Sequence, residues 1–305
     1  MTELERLSRL TPEDGILNAV LDTDAFNEID DQFAIVYALM SPERLNIEAI
    51  YAAPFFNENS TGAADGMEKS YQEIKKLLGL MEYPHSDSFV LRGSDRFLSS
   101  KTEPVVSDAA KDLVARAMAA EDTLYVITIG ALTNIASAIL LEPKIIDKIS
   151  IVWLGSHDYR WPNTREFNLC GIYPTGDLKA AQIVYDSGAP LTVLPCMGVV
   201  SELRTTPAEL RQFIYGKSAI GTYLTENVEA CIPAGKPGSR VIWDVSAVAY
   251  LLNESFTPSY IRHTPILTDE GTYSFDDRRP LYRYVYFVDR DKIFDDLFRK
   301  INNCK

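Results

Sequence analysis

Short apolar runs alternate along this chain with longer stretches whose apolar positions recur at helical spacing. Ile16–Leu21, Ile47–Ala53, Phe89–Leu91, Leu124–Ile129, Ile149–Leu154 and Leu191–Leu194 read as buried strands, and Tyr282–Val288 alternates as a later one. Between them the spacing predicts helices. Phe33–Met40 is apolar enough to pack on a sheet, and Met67–Leu80 places Met67, Tyr71, Ile74, Leu77 and Leu78 on one face. Further helices are expected at Asp108–Ala120, Ile135–Leu141, Asp177–Ser187, Pro207–Gly216, Ser218–Ala230, Asp244–Asn253 and Lys292–Ile301. Strand, loop and helix repeated in this order predict an α/β fold, an open Rossmann-type sheet, mostly parallel, with helices on both faces. The Pro/Gly stretch at 232–238 is the one plausible boundary. The strand and helix beyond it belong to the same pattern, so residues 1–305 are expected to form a single domain.

That topology gives the loops a meaning. In open parallel sheets the binding crevice lies at the carboxyl ends of the strands. The loop after the first strand reads Asp22-Thr23-Asp24-Ala25-Phe26-Asn27-Glu28-Ile29-Asp30-Asp31, five carboxylates within ten residues. Like charges so crowded call for a counter-ion or a positively charged transition state. A hard divalent cation fits, Ca²⁺ first, because it accepts several oxygen ligands in loose geometry. One aspartate at a strand end is ordinarily a helix cap, a role open to Asp30. A helix has a single N-cap, so capping does not account for four. An EF-hand is excluded: counted from Asp22, Asn27 and Phe33 fall where Gly and Glu are required. Asp24 and Asp31 are the leading ligand candidates, with Asp22 and Asp30 behind them.

Two other segments carry polar chemistry. Asn163-Thr164-Arg165-Glu166-Phe167-Asn168 sets amides and a carboxylate around a phenylalanine, which suits a hydroxyl-rich ligand, though loops carry such residues routinely. Trp243-Asp244 heads an apolar helix, where the plain role of the aspartate is an N-cap. Bulk composition narrows the classes. With 46% hydrophobic and 24% charged residues the chain is an ordinary globular one, and its net charge of −13 argues against sequence-independent nucleic-acid binding. Cys170, Cys196, Cys231 and Cys304 show no metal-like spacing and are expected to be free thiols. No signal peptide or membrane-length apolar window is evident, so a cytoplasmic location is expected.

Taken together, these segments resemble one family. Asp22-Thr23-Asp24 followed by Asp30-Asp31 is similar to the aspartate signature of the inosine–uridine-type nucleoside hydrolases. Gly130-Ala131-Leu132-Thr133-Asn134-Ile135-Ala136 resembles their glycine-leucine-threonine-asparagine turn, Glu166-Phe167-Asn168 their sugar-binding segment, and Asp244 with Ala247-Val248-Ala249 their C-terminal aspartate and its helix. The motifs come in the family's order and run from about residue 16 to the end.

The resemblance implies a Ca²⁺-dependent hydrolase of N-ribosidic bonds acting on small-molecule nucleosides, in a homodimer or homotetramer. Asp24, Asp31, the backbone carbonyl of Ile129 and Asp244 would hold the calcium. Asp24 would also serve as general base toward the attacking water. Asp30, Asn57, Asn163, Glu166 and Asn168 would bind the ribose, and Asp22 would support the metal ligands. The chemistry agrees, since ribosidic cleavage builds oxocarbenium-like charge that carboxylates stabilise.

The sequence also departs from the family. Five residues separate Asp24 from Asp30 where the shortest family pattern has three, and the loop holding Asn57 lacks the usual glycine-asparagine ending. Trp243 stands where many members have a histidine that is a candidate acid for the leaving base. His157, one of three histidines, is the candidate replacement. A tryptophan offers a face for a base to stack on, which leans toward purines. Two competing readings remain. A Mg²⁺-dependent phosphohydrolase of the haloacid-dehalogenase type would use Asp22 as nucleophile and give the Asp30-Asp31 pair no role. A non-catalytic nucleoside or ribose sensor on the same fold would be favoured by a lost calcium ligand.

Overall fold

The structure, a computed structural model, describes residues 1–160 and 176–304. In chain order the described strands are β1 (Leu17–Thr23), β2 (Leu45–Ala52), β3 (Val90–Arg92), β4 (Leu124–Thr128), β5 (Ile149–Leu154), β6 (Leu191–Leu194), β7 (Arg204–Thr205), β8 (Arg240–Val241), β9 (Ser259–His263), β10 (Ile266–Leu267), β11 (Tyr273–Ser274) and β12 (Leu281–Val285). The helices are α1 (Glu3–Ser8), α2 (Asp30–Leu39), α3 (Ala63–Leu80), α4 (Asp108–Ala119), α5 (Thr133–Leu141), α6 (Leu178–Asp186), α7 (Pro207–Phe213), α8 (Ala219–Ala230), α9 (Val245–Leu252) and α10 (Arg290–Ile301).

Eight strands form one sheet in the order β3-β2-β1-β4-β5-β6-β12-β9. Every neighbouring pair is parallel except β12 with β9, which is antiparallel. Two of the strands beyond the 232–238 loop, β12 and β9, thus complete the same sheet as the first six. Alternation along β1 sorts the core: Leu17, Ala19 and Leu21 face α2, α3, α8, α9 and α10, while Val20 faces α4, α5 and α6. Strands β1, β4, β5 and β6 are buried on both faces, which is why they read as continuous apolar runs.

Helix α2 is the innermost helix, with every residue from Asp30 to Leu39 buried. It packs against α9, which buries seven of its eight residues. Neither could present an amphipathic pattern, because each is enclosed on all sides. Boundaries predicted for β5 and β6 coincide with the observed ones. Helix α3 begins four residues earlier than its apolar spacing indicates, at Ala63, in a turn held by Asp65. The edge strand β9, the short pairs β7–β8 and β10–β11, and α1 carry no legible apolar period. No described helix is long and apolar enough to cross a membrane. Cys196, Cys231 and Cys304 are free thiols, and Cys170 lies outside the described residues.

Candidate metal and sugar site

The acidic loop leaves the carboxyl end of β1 at the middle of the sheet. After a register shift against β2 between Ala19 and Val20, β1 stays paired to its last residues, with Asp22 opposite Thr128 of β4 and Thr23 opposite Ala52 of β2. Asp22 and Thr23 therefore project to opposite faces. On one face Asp22 Oδ1 accepts from Asn134 Nδ2 at 2.7 Å, and Thr128 Oγ1 approaches Oδ2 at 3.4 Å. The Asn134 amide also reaches Ala52 O, and its oxygen accepts from the backbone N–H and hydroxyl of Ser94. Thus the Thr-Asn turn locks the ends of β1, β2 and β3 together. Gly93 must be glycine here, since a Cβ would lie 2.0 Å from Ala52 O and 2.4 Å from Asn134 Nδ2. Burial pushes the Asp22 carboxyl up to about 7, against the pull of its Asn134 and Thr128 hydrogen bonds.

On the other face Thr23 Oγ1 donates to Asp31 Oδ1 at 2.5 Å. Asp30 and Asp31 form the first turn of α2, whose N-cap is Ile29, so Asp30 is not the cap. Asp244 does hold the N-cap position of α9, yet its side chain makes no capping hydrogen bond. Both capping explanations therefore fail on geometry. Instead, ligand oxygens of Asp30, Asp31 and Asp244 lie within 4.8 Å of one another, and all three residues are buried. Burial first, then the charges of Glu28 and Asp31, pushes Asp30 well above the usual carboxylate range. Burial followed by the charge of Asp24 does the same for Asp31, and burial followed by Asp30, Asp31 and Asp24 for Asp244. Hydrogen bonds partly oppose the rise at Asp30 and Asp31, and the N-terminal ends of α2 and α9 lie at the cluster.

Asp24, buried, sits just past β1, and the backbone of β4 comes up against it. Ile129 N donates to Asp22 O at 2.9 Å, which sets the Ile129 peptide beside the acidic loop. A Cβ on the next residue, Gly130, would meet Asp24 Oδ1 at 2.6 Å, so this close approach requires glycine. Asp24, Asp30, Asp31, Asp244 and the Ile129 peptide are thus gathered at one place. An all-oxygen donor set, mostly carboxylate and enclosed by protein, fits a hard divalent cation such as calcium.

The remaining expected residues divide into three groups. Trp243 joins the cluster: its backbone N–H donates to Asp30 Oδ2 at 3.1 Å, and its half-buried ring packs on the main core. Asn57 reaches the acidic loop from the end of β2, with Nδ2 on Asn27 Oδ1 at 2.5 Å. His157 follows β5, where its Nδ1 accepts from Met197 N at 3.3 Å, a bond that places any ring proton on Nε2. The residue before it, Ser156, holds a left-handed φ of 63°, local strain at the same edge of the sheet. Asn163, Glu166 and Asn168 lie outside the described residues.

Several participants were invisible in the sequence. Asn27 donates Nδ2 to Asp24 Oδ2 at 2.9 Å. Gln32, next to Asp31, donates to the buried Glu73 of α3 and accepts from Asn227 of α8, while Tyr223 of α8 also donates to Glu73. This network braces the first turn of α2 against α3 and α8, which gives Tyr223 and Asn227 a packing role. Glu28 is exposed and pairs with Arg240 at 3.2 Å.

With the acidic cluster placed, its relatives can be compared. The family model of the inosine-uridine preferring nucleoside hydrolases matches residues 19–295. The chain belongs to that family. A protein of Arabidopsis thaliana named "Probable uridine nucleosidase 2" is 25% identical over 222 residues, covering 67% of this chain and 66% of its own length. The fold is shared with a purine-preferring ribonucleoside hydrolase from Gardnerella vaginalis (TM-score 0.70, 19% identity, 94% of this chain and 98% of that one). It is shared also with an inosine-uridine preferring nucleoside hydrolase from Bacillus anthracis (TM-score 0.69, 14% identity, 94% and 99%). Family members named for uridine and for purines thus stand on one architecture, so the fold leaves the base open.

Proposed function

We propose that this protein is a calcium-dependent hydrolase that cleaves the N-glycosidic bond of ribonucleosides to ribose and free base, with purine nucleosides favoured. The observation that carries the reading is the buried meeting of Asp30, Asp31 and Asp244 within 4.8 Å, at the N-termini of two enclosed helices, in a chain of this family. Asp24, Asp31, Asp244 and the Ile129 carbonyl are the proposed calcium ligands. Bound there, calcium would make a water molecule more acidic and grip the ribose hydroxyls.

The chain's own residues supply the rest. Asp24 is the general base that takes the proton of the attacking water. Asp30, oriented by the Trp243 N–H, holds a ribose hydroxyl, with Asn163, Glu166 and Asn168 assigned to the same sugar. The crowd of carboxylates stabilises the positive charge that develops on the ribose as the bond to the base lengthens. Asp22, anchored by Asn134, fixes the end of β1 from which Asp24 projects. Trp243 is the assigned stacking surface for the base, because its backbone is tied to the same Asp30 that holds the sugar.

The test is direct. With calcium present, the protein should release free base and reducing sugar from inosine, adenosine and guanosine faster than from uridine and cytidine. Asp24→Ala should remove turnover and weaken calcium binding together. Near-normal activity in Asp24→Ala would sink the assignment, and binding without turnover in the parent chain would replace it with a sensor.

A further inference from the structure

We propose that Asn27 is a positioning residue for Asp24, and that Asn57 acts on the site through Asn27 rather than on the sugar. The inference rests on the reading of Asp24 as calcium ligand and base.

The loop that carries Asn27 is the one lengthened relative to the shortest family spacing. Its first four residues, Asp24-Ala25-Phe26-Asn27, close a turn in which Asn27 N donates to Asp24 O at 2.6 Å. The turn folds the Asn27 side chain back over Asp24, where Nδ2 donates to Oδ2 at 2.9 Å. The other carboxylate oxygen, Oδ1, faces the bare Cα of Gly130. The carboxylate is therefore gripped at one oxygen by an amide and bounded at the other by backbone, which fixes its plane.

Asn27 is in turn held from outside the loop. Asn57 Nδ2 spans Asn27 Oδ1 at 2.5 Å and Asn27 O at 3.3 Å, and Asn59 Nδ2 reaches Asn27 O at 2.9 Å. An asparagine amide has two N–H donors, and both of those on Asn57 point to Asn27. Its oxygen accepts from Asn59 N at 2.8 Å, which orients the amide. So Asn57 has spent on Asn27 the donors a ribose contact would use. The chain Asn57, Asn27, Asp24 connects the loop after β2 to the base at the end of β1.

Asn27→Ala, Asn57→Ala and the double variant test this with two readouts. Calcium affinity is measured by calorimetric titration of the metal-free proteins, and kcat and KM are measured for inosine. Asn27→Ala should lower kcat by about tenfold, the scale of one lost hydrogen bond to a charged group, with KM within about twofold and calcium affinity several-fold weaker. Asn57→Ala should show a smaller loss of the same kind, and the double variant should be no worse than Asn27→Ala alone, the mark of two residues acting in series. A rise in KM from Asn57→Ala in the Asn27→Ala background would overturn the inference, since it would put Asn57 on the sugar. Unchanged kcat and calcium affinity in Asn27→Ala would overturn it as well. If Asn27→Ala loses melting temperature, Asn57→Ala, which leaves the Asn27–Asp24 hydrogen bond in place, carries the same comparison. If the parent chain hydrolyses no nucleoside, the catalytic reading fails alone. The calcium titration then decides whether Asn27 sets Asp24.

Discussion

Helix α2 buries charge at both of its ends, and the two ends do it differently. The helix is about 15 Å long at 1.5 Å per residue, so the two regions share one rod through the core. At its far end Lys300, only 6% exposed, places Nζ 2.6 Å from Glu43 Oε1, 2.6 Å from Ser41 Oγ and 3.4 Å from Asp296 Oδ2. Tyr37, also on α2, donates its hydroxyl to Asp296 at 2.7 Å, and Arg299 pairs with the same carboxylate. Every charge there has an opposite one, and the cation sits where the helix dipole is negative. At the near end Asp30, Asp31 and Asp244 meet, and among the described residues the donors to them are neutral, including the Thr23 hydroxyl and the Trp243 N–H. The lesson concerns what a fold leaves unfinished. Among the described residues, the end built around buried Lys300 has its charges paired, whereas the Asp30, Asp31 and Asp244 end has no basic partner, and under the proposed function a cation and a developing oxocarbenium would supply the positive charge.

The largest effect that would break this contrast is on turnover. Asp244→Asn keeps the shape of the N-cap residue of α9 and removes one carboxylate of the cluster. Turnover should fall by about a hundredfold to a thousandfold, as when one preorganised electrostatic group is removed. Without calcium, the same variant should melt higher than the parent, by about 2 °C for roughly one relieved like-charge contact in a domain of this size. Loss of activity together with a lower metal-free melting temperature would mean that Asp244 is a structural residue, and the contrast would collapse.

The paired end should answer in the opposite sense. Lys300→Met takes the shared cation from the enclosed Asp296 and the exposed Glu43, and the loss should be about 1 kcal/mol, between an exposed pair and a fully buried one. Denaturant unfolding should show that loss, while kcat below the unfolding transition stays unchanged. If Lys300→Met proves neutral in stability, the far end is no better balanced than the near one.

The sequence made these two ends unequally legible. Asp22, Asp24, Asp30 and Asp31 announce themselves because carboxylates so close together have no common structural use, and Asp244 stands out at the head of an apolar helix. Strands β5 and β6 were equally plain, since burial on both faces leaves an unbroken apolar run. The balanced cluster was hidden: Lys300 reads as an ordinary polar position of an amphipathic helix, and its partners Ser41 and Glu43 lie over 250 residues earlier. Asn27, Gln32 and Glu73 were hidden for the same reason. Their roles come from partners that only the turn, or the packing of α3 and α8, brings near. The edge strand β9 escaped because Tyr260 and Ile261 are exposed, and its pairing with β12 imposes no hydrophobic alternation.

The smallest effect sharpens the comparison through pH. At the far end, burial works against the Glu43 charge, but the Lys300 hydrogen bond holds its carboxyl below the ordinary range. A depressed carboxylate adds stability above its unfolded value, and that stability is lost as pH falls through the folded value. At the near end the sign reverses. Asp30, Asp31 and Asp244 are raised, so the folded metal-free protein keeps protons that the unfolded chain releases above about pH 4. Between that pH and the raised values the folded state binds more protons, and metal-free stability falls as pH rises. Under the proposed function calcium would compete with those protons and bind best where the metal-free cluster is least stable. The calcium-induced rise in melting temperature should therefore grow by several degrees between pH 5 and pH 8, measured by thermal unfolding with calcium and with chelator. In Lys300→Met the same growth should persist, because the far end takes no part in it. A calcium shift that is flat with pH would mean that the three carboxylates do not titrate as a cluster, and the two ends of α2 would then differ in sequence but not in kind.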